Sequence, residues 1–163
     1  MEVIQTLLEH YQKENYSIIF DSDIDGFEKK NFLKHIKNKN DVLFFLYPKN
    51  KKIIGFKLDK IYFENWIKQS FQLFLIDSKL NIEFEKAFTH INGCFCTGRE
   101  SRYLFGIHDF AAIEYNPKAQ FKLWEKEKIE KYHPFLKEWL EDKRVIEREE
   151  QIELERLLIL SLS

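Results

Sequence analysis

Phe20-Asp21-Ser22-Asp23-Ile24-Asp25-Gly26 fits both a calcium loop and a structural bend, and the choice between them decides how the chain is read. Asp21, Asp23, Asp25 and Gly26 fill positions 1, 3, 5 and 6 of a twelve-residue loop whose oxygens would wrap a hard divalent cation. The loop fails at its far end. Position 12 is Phe32 where a bidentate Glu belongs, position 9 is Lys29 and position 8 is Glu28. Upstream, Tyr16-Ser17-Ile18-Ile19-Phe20 is β-branched and aromatic, the composition of a strand, whereas a calcium hand needs an entering helix. A bend accounts for more of the same residues. Asp25 stands at an N-cap position, and Glu28 completes an Asp-x-x-Glu capping box for a helix. That helix carries Phe32, Leu33 and Ile36 on one side and Lys29, Lys30, Lys34 and Lys37 mostly on the other. The expectation is strand, acidic turn, helix, with Asp21, Asp23 and Asp25 as the disfavoured calcium candidates.

The 163 residues suffice for one domain, with 44% apolar residues for a core and 33% charged residues for its surface. Aromatic content of 16%, including 16 Phe, argues for layered sheet packing and against disorder. Lys plus Arg (26) nearly cancels Asp plus Glu (27), so no global field gathers nucleic acid or an anionic membrane. Met1 to His10 lacks a basic start followed by an apolar run, and no segment reaches the roughly 18 apolar residues of a membrane span. Two cysteines without an export signal point to a cytoplasmic chain with reduced thiols and no membrane insertion.

Ile4, Leu7, Leu8 and Tyr11 repeat at helical spacing and predict a helix over 2–13. Val42 to Tyr47 and Lys52 to Leu58 form a hairpin about Pro48-Lys49-Asn50-Lys51, with Gly55 marking a bulge or a close approach. Phe71 to Ile76 is the next strand, closed by Asp77-Ser78-Lys79. Asn92-Gly93 supplies a type I′ turn that pairs Ile91 with Cys94, His90 with Phe95 and Thr89 with Cys96. Arg102 to Ile107 and Phe110 to Tyr115 are strands, and Asn116-Pro117 closes the sheet-rich part. From about residue 118, Lys, Glu and Leu at helical spacing predict a helical tail, broken at Pro134 and ending on apolar Leu157 to Leu160. The expected architecture is α+β: an antiparallel β-sandwich of two sheets with peripheral helices. Residues 1–117 form the sandwich domain with its N-terminal helix, and 118–163 are a helical extension packed on it or projecting from it.

Cys94-x-Cys96 with His90 and His108 resembles the start of a zinc set, but the spacing is unusual and the hairpin register puts His90 on the opposite face. Core thiols are the expected role, with Cys94 and Cys96 as redox candidates if either is exposed. His108-Asp109 are neighbours on a strand and point apart, so they do not orient each other as a catalytic dyad. No Gly-rich phosphate loop, Gly-x-Ser-x-Gly or His-Glu-x-x-His occurs, and the charged turn Gly98-Arg99-Glu100-Ser101-Arg102 is read as an exposed turn.

In their order these elements resemble the TLDc domain family. Ile18-Ile19-Phe20-Asp21-Ser22-Asp23-Ile24-Asp25-Gly26-Phe27 resembles its opening. Tyr103-Leu104-Phe105-Gly106-Ile107-His108-Asp109-Phe110 resembles its closing Phe-Gly-x-x-Asp stretch. The matching positions are Asp21, Ser22, Asp25, Gly26, Phe105, Gly106 and Asp109, and coverage runs from about Tyr16 to Pro117. The resemblance implies a sandwich of antiparallel sheets, a part in resistance to oxidative stress, and for some members control of the vacuolar proton-pumping ATPase. It carries across no catalytic residue and no cofactor. The first functional expectation is thus a non-enzymatic cytosolic interaction module with a protein partner. The alternative is a thiol-based antioxidant enzyme or redox sensor using Cys94 or Cys96.

Overall fold

Alternation of apolar and charged residues in Ile152-Glu153-Leu154-Glu155 turns the last part of the chain into a strand, and the sheet is organised around it. The computed structural model describes residues 2–61, 71–85, 103–107, 110–115, 118–141 and 151–163. In chain order these form α1 (Glu2–His10), β1 (Tyr16–Asp21), α2 (Ser22–Asp25), α3 (Lys29–Ile36), β2 (Asn40–Pro48), β3 (Ile53–Lys60), β4 (Phe71–Ile76) and β5 (Ile82–Phe84). There follow β6 (Tyr103–Ile107), β7 (Ala111–Tyr115), β8 (Ala119–Leu123), α4 (Lys126–Tyr132), a 3₁₀ turn at Pro134–Leu136, α5 (Lys137–Glu141) and β9 (Gln151–Leu162). The fold is α+β, with nine antiparallel strands among the described residues, in the order β5-β4-β3-β2-β9-β8-β7-β6 and with β1 also paired to β9.

β9 joins everything else. One edge runs along β2, from Val42 opposite Ser161 to Pro48 opposite Leu154; the other meets β8 through residues 151–153 and β1 through residues 158–162. Its register slips by one residue between Tyr47 and Pro48, which leaves Glu155 without an opposite residue. Such a bulge reverses which side chains face which way. Ile152 and Leu154 therefore enter the same core as Leu157 and Ile159, while Leu158, Leu160 and Leu162 enter another on the opposite face.

Those two cores account for the composition. In the larger, Phe44 of β2 stacks on Phe56 of β3 with ring centroids 4.5 Å apart, and Phe105 of β6 reaches both, at 5.4 and 6.2 Å. Phe32 of α3 fills the space between Phe20 and Phe105, at 5.4 and 5.7 Å, so the helix after the acidic turn closes this core. The smaller core is covered by Leu7 and Leu8 of α1, which lie over Leu43, Phe45, Phe74, Leu158 and Leu160. Edge-to-face rings at these separations add to area burial.

Several expectations are corrected. Residues 118–163 are not a helical tail throughout: helices account for 126–132 and 137–141, whereas 119–123 and 151–162 are strands, and Asn116-Pro117 does not end the sheet. Leu, Glu and Arg favour helices intrinsically, but burial on both faces of a sheet requires a period of two. Pro134 does separate two helical pieces, as the first residue of the 3₁₀ turn. The Asp25–Glu28 capping box does not form: Asp21 caps α2 through its carboxylate, and Glu28 precedes α3 without a side-chain cap. The Asn92-Gly93 hairpin, Cys94, Cys96, His90, His108, Asp109 and the turn at 98–102 lie outside the described residues.

Gly55 causes no bulge, since β3 pairs without interruption with β2 and β4. It is a close approach instead. A Cβ there would stand 2.1 Å from Cζ of Phe74 and 3.0 Å from the carbonyl oxygen of Phe44. Gly55→Ala is expected to lower stability by about 1–3 kcal/mol through overpacking, with partial recovery when Phe74→Leu removes the ring. Urea unfolding of the single and double variants checks this; equal midpoints for Gly55→Ala and the natural chain would contradict it.

Candidate functional site

Three groups of polar side chains stand out, and the acidic turn is the first. Asp21 ends β1 with its side chain only 8% exposed, and Arg156 of β9 grips it from 135 residues away. Nε donates to Oδ1 at 3.0 Å and Nη2 to Oδ2 at 2.6 Å, the two-pronged geometry at which a guanidinium holds a carboxylate best. Arg156 Nε also lies 3.3 Å from Asp23 Oδ2, and the guanidinium sits 5.4 Å from the ring centre of Tyr47. Beside it, Ser22 Oγ accepts from the backbone N–H of Leu157 at 2.8 Å.

The three calcium candidates thus do different jobs. Asp21 and Asp23 face a guanidinium supplied by the chain itself. Asp25 turns back so that Oδ2 accepts from the N–H of Asp21 at 2.9 Å, and Oδ1 lies 3.6 Å from His35 Nε2. Gly26 ends the turn at φ 75°, a conformation that side chains with a Cβ resist. Among the resemblance residues, Phe105 of β6 lies in the large core and Gly106 is buried next to it, so the described part of the closing motif is packing.

Hydrogen bonding to Arg156 holds the Asp21 carboxyl below its usual range, and its burial opposes that only in part. The folded value lies below the unfolded one, about 3.9. The clamp therefore stabilises the fold above about pH 5, and that contribution fades as acid titrates Asp21.

Glu85 and His133 form the second group, one that motif reading missed. His133 joins α4 to the 3₁₀ turn: its N–H donates to Ile129 O at 2.7 Å and its carbonyl accepts from Leu136 N at 2.8 Å. Its ring Nδ1 is hydrogen-bonded to Glu85 Oε2 at 3.1 Å, with both side chains 1% exposed. Oε1 of Glu85 has no hydrogen-bond partner among the described residues. Burial pushes the Glu85 carboxyl up, and the His133 hydrogen bond offsets this in part. Its sign is opposite to that of Asp21: the contribution is full below the unfolded value, about 4.3, and is lost as pH rises through the folded one. The spacing between the two residues, 48 positions, hid the pair from sequence reading.

The third group borders a cleft of about 720 Å³ between the β4–β5 end of the sheet and α5. Leu75, Phe135 and Trp139 supply apolar walls; Lys52, Glu83, Lys137, Glu138 and Glu141 supply charge of both signs. Trp139 is fixed from both sides. Its Nε1–H donates to Lys52 O at 3.1 Å, its carbonyl accepts from Lys51 Nζ, and its ring packs against Phe110 and Phe121 at 5.7 and 5.9 Å. A largely polar lining of both charge signs around a few apolar side chains suits a chemically mixed ligand such as a protein segment.

No family model matches the chain, and no curated protein matches it in sequence. Among the described residues no helix is long and apolar enough to cross a membrane.

The two buried carboxylates predict a stability profile with opposed arms. Asp21→Asn keeps an N-capping side chain and loses the charge, so it should destabilise by about 1–3 kcal/mol at pH 7 and by much less at pH 3. Glu85→Gln keeps an acceptor for His133 and should flatten the alkaline arm. Urea midpoints from pH 3 to pH 8 read both; an Asp21→Asn loss that is the same at pH 3 and pH 7 would contradict the clamp.

Proposed function

We propose that this chain is a non-enzymatic cytosolic interaction module of the TLDc type, and that the cleft beside Trp139 receives a segment of its protein partner. The cleft carries the reading. Its volume falls within the range of about 300–1,000 Å³ usual for ligand sites, and its lining sets charges of both signs around Leu75, Phe135 and Trp139, which can fix a segment's register. Under the same proposal the sheet is a sandwich of two layers. Support comes from Phe105 of β6, whose ring lies against Phe44 and Phe56 although β9, β8 and β7 stand between β2 and β6 in the sheet.

The resemblance selects the partner. The proposed one is the vacuolar proton-pumping ATPase, in a setting of oxidative-stress resistance. No step of this role requires a cofactor: shape and charge perform it, with Trp139 as the apolar wall and Lys137, Glu138 and Glu141 as the steering rim.

The test uses the purified cytosolic sector of that ATPase in biolayer interferometry. Binding is expected, and exchanging the rim charges by Lys137→Glu with Glu138→Lys should weaken it about tenfold, ~1.4 kcal/mol, with the melting temperature unchanged. No binding at about 100 µM, an affinity limit near −5.5 kcal/mol, would overturn the ATPase assignment. Binding that ignores the rim exchange would overturn the cleft.

A further inference from the structure

Glu85 and His133 stand at the two sides of the cleft. Glu85 directly follows β5, whose Glu83 lines one side, and His133 directly precedes Pro134 and Phe135, which line the other. The 3.1 Å bond between Glu85 Oε2 and His133 Nδ1 thus ties the sheet wall of the cleft to its helical wall. Both residues are held at the backbone. The N–H of Glu85 donates to Leu73 O at 2.8 Å, and its carbonyl accepts from Gln72 Nε2 at 2.9 Å. His133 is fixed in the same way between Ile129 and Leu136.

A buried carboxylate needs several donors, since its two oxygens together offer about four acceptor sites. Here Oε2 meets His133, and Oε1 meets no partner among the described residues. A shared proton removes the difficulty. With one proton between Nδ1 and Oε2 the pair is neutral as a whole; without it, a bare carboxylate faces a ring-nitrogen lone pair away from water. Among the described residues, His133 is the charged group that acts on the Glu85 carboxyl. β4 presents neutral Gln72, whose Oε1 is taken by His10 and Tyr11 of α1 at 2.9 and 3.1 Å. On α4, Glu130 stands one turn before His133 and faces Lys126 at 3.8 Å. Glu83 of β5 and Lys137, Glu138 and Glu141 of α5 lie at the cleft surface, and the ring of Phe110 meets His133 edge-on at 6.5 Å. Burial holds the Glu85 carboxyl above its usual range, so the proton stays in acid and leaves as pH rises through the folded value.

We propose that the Glu85–His133 pair is a proton-operated latch on the cleft, closed while the two side chains share a proton and released when a rise in pH removes it. On the reading that the cleft is the partner's site, the latch regulates partner capture; the motion itself belongs to this chain alone. Release separates Pro134 and Phe135 from the Glu83 edge. Trp139 stays tied to the β2–β3 hairpin through Lys51 and Lys52, so the 3₁₀ turn swings against a fixed indole and the cleft widens. Because one proton is lost, the ratio of closed to open molecules falls about tenfold for each pH unit above the midpoint.

The width of the cleft is the direct readout. With Cys94 and Cys96 replaced by Ser, nitroxides at Glu83→Cys and Lys137→Cys report it by pulsed electron paramagnetic resonance from pH 5 to pH 9. A single short distance is expected at pH 5, with a longer one growing in as pH rises. Adding Glu85→Gln, a neutral side chain that meets Nδ1 as donor or acceptor, should hold the short distance at every pH. Distances that do not change between pH 5 and pH 9 would overturn the latch, as would a change that persists in Glu85→Gln. Hydrogen exchange of the unlabelled chain decides the matter independently of the cysteine substitutions. Protection of the Leu136 amide, which is bonded to His133 O, should fall about tenfold per pH unit above the midpoint after correction for the intrinsic rate, and should not fall in Glu85→Gln. Equal protection in the two proteins overturns the latch. Binding of the purified cytosolic ATPase sector at pH 6 and pH 8 separates the two claims: a pH-dependent width without binding removes the partner and keeps the latch, and binding at a constant width removes the latch and keeps the partner.

Discussion

The grip of Arg156 on Asp21 depends on one geometric fact: the last strand of the chain lies between strands that come much earlier. β9 contributes Leu157 and Ile159 to one core and Leu158 and Leu160 to the other, so each pair of successive residues seals both faces of the sheet. The guanidinium then fixes the register at the point where β1 leaves the sheet. Ser22 adds a hydrogen bond to the N–H of Leu157, one residue away, so the acidic turn is stitched to β9 by side chains and backbone together. Slipping β9 by one residue would break both contacts and turn four apolar side chains to the wrong faces.

The same constraint gives the acidic turn its composition. Asp21 needs a cation because it is nearly buried, and a hard ion is unnecessary when Arg156 provides two donors in a plane. Asp25 satisfies the backbone N–H of Asp21, and Gly26 supplies the positive φ that lets the chain turn into α3. Phe32 then reaches the large core. Charge near the surface and aromatic packing beneath it thus belong to one device, while the mixed charges around Trp139 border a separate cleft beside β4 and β5.

Local patterns were legible where the chain declares its period within a few residues. Tyr16 to Phe20, Val42 to Tyr47, Phe71 to Ile76, the first two turns of α1 and the break at Pro134 all follow from spacing, β-branching or the missing N–H of proline. β9 was misread: Ile152-Glu153-Leu154-Glu155 does alternate at a period of two, but the Leu-Glu-Arg-rich sequence around it favours a helix in isolation, and burial between β2, β1 and β8 holds the whole stretch as a strand. The three-residue β5 is too short to show any period. At the site, the sequence exposed the acidic turn but not its partner 135 residues away, and it gave no sign of Glu85 meeting His133. Both are products of topology. A shared charge sign or a distinctive spacing, the usual local markers of a site, is absent from each pair.

If β9 is the element on which the rest depends, its central amides open only when the whole molecule unfolds. Native-state hydrogen exchange in low denaturant measures this residue by residue. The account predicts that the amides of Leu157 to Leu160 exchange with the full free energy of global unfolding, equal to that of Phe44 and Phe56. Exchange of β9 through a separate opening at clearly lower free energy, with Phe44 and Phe56 still protected, would contradict it.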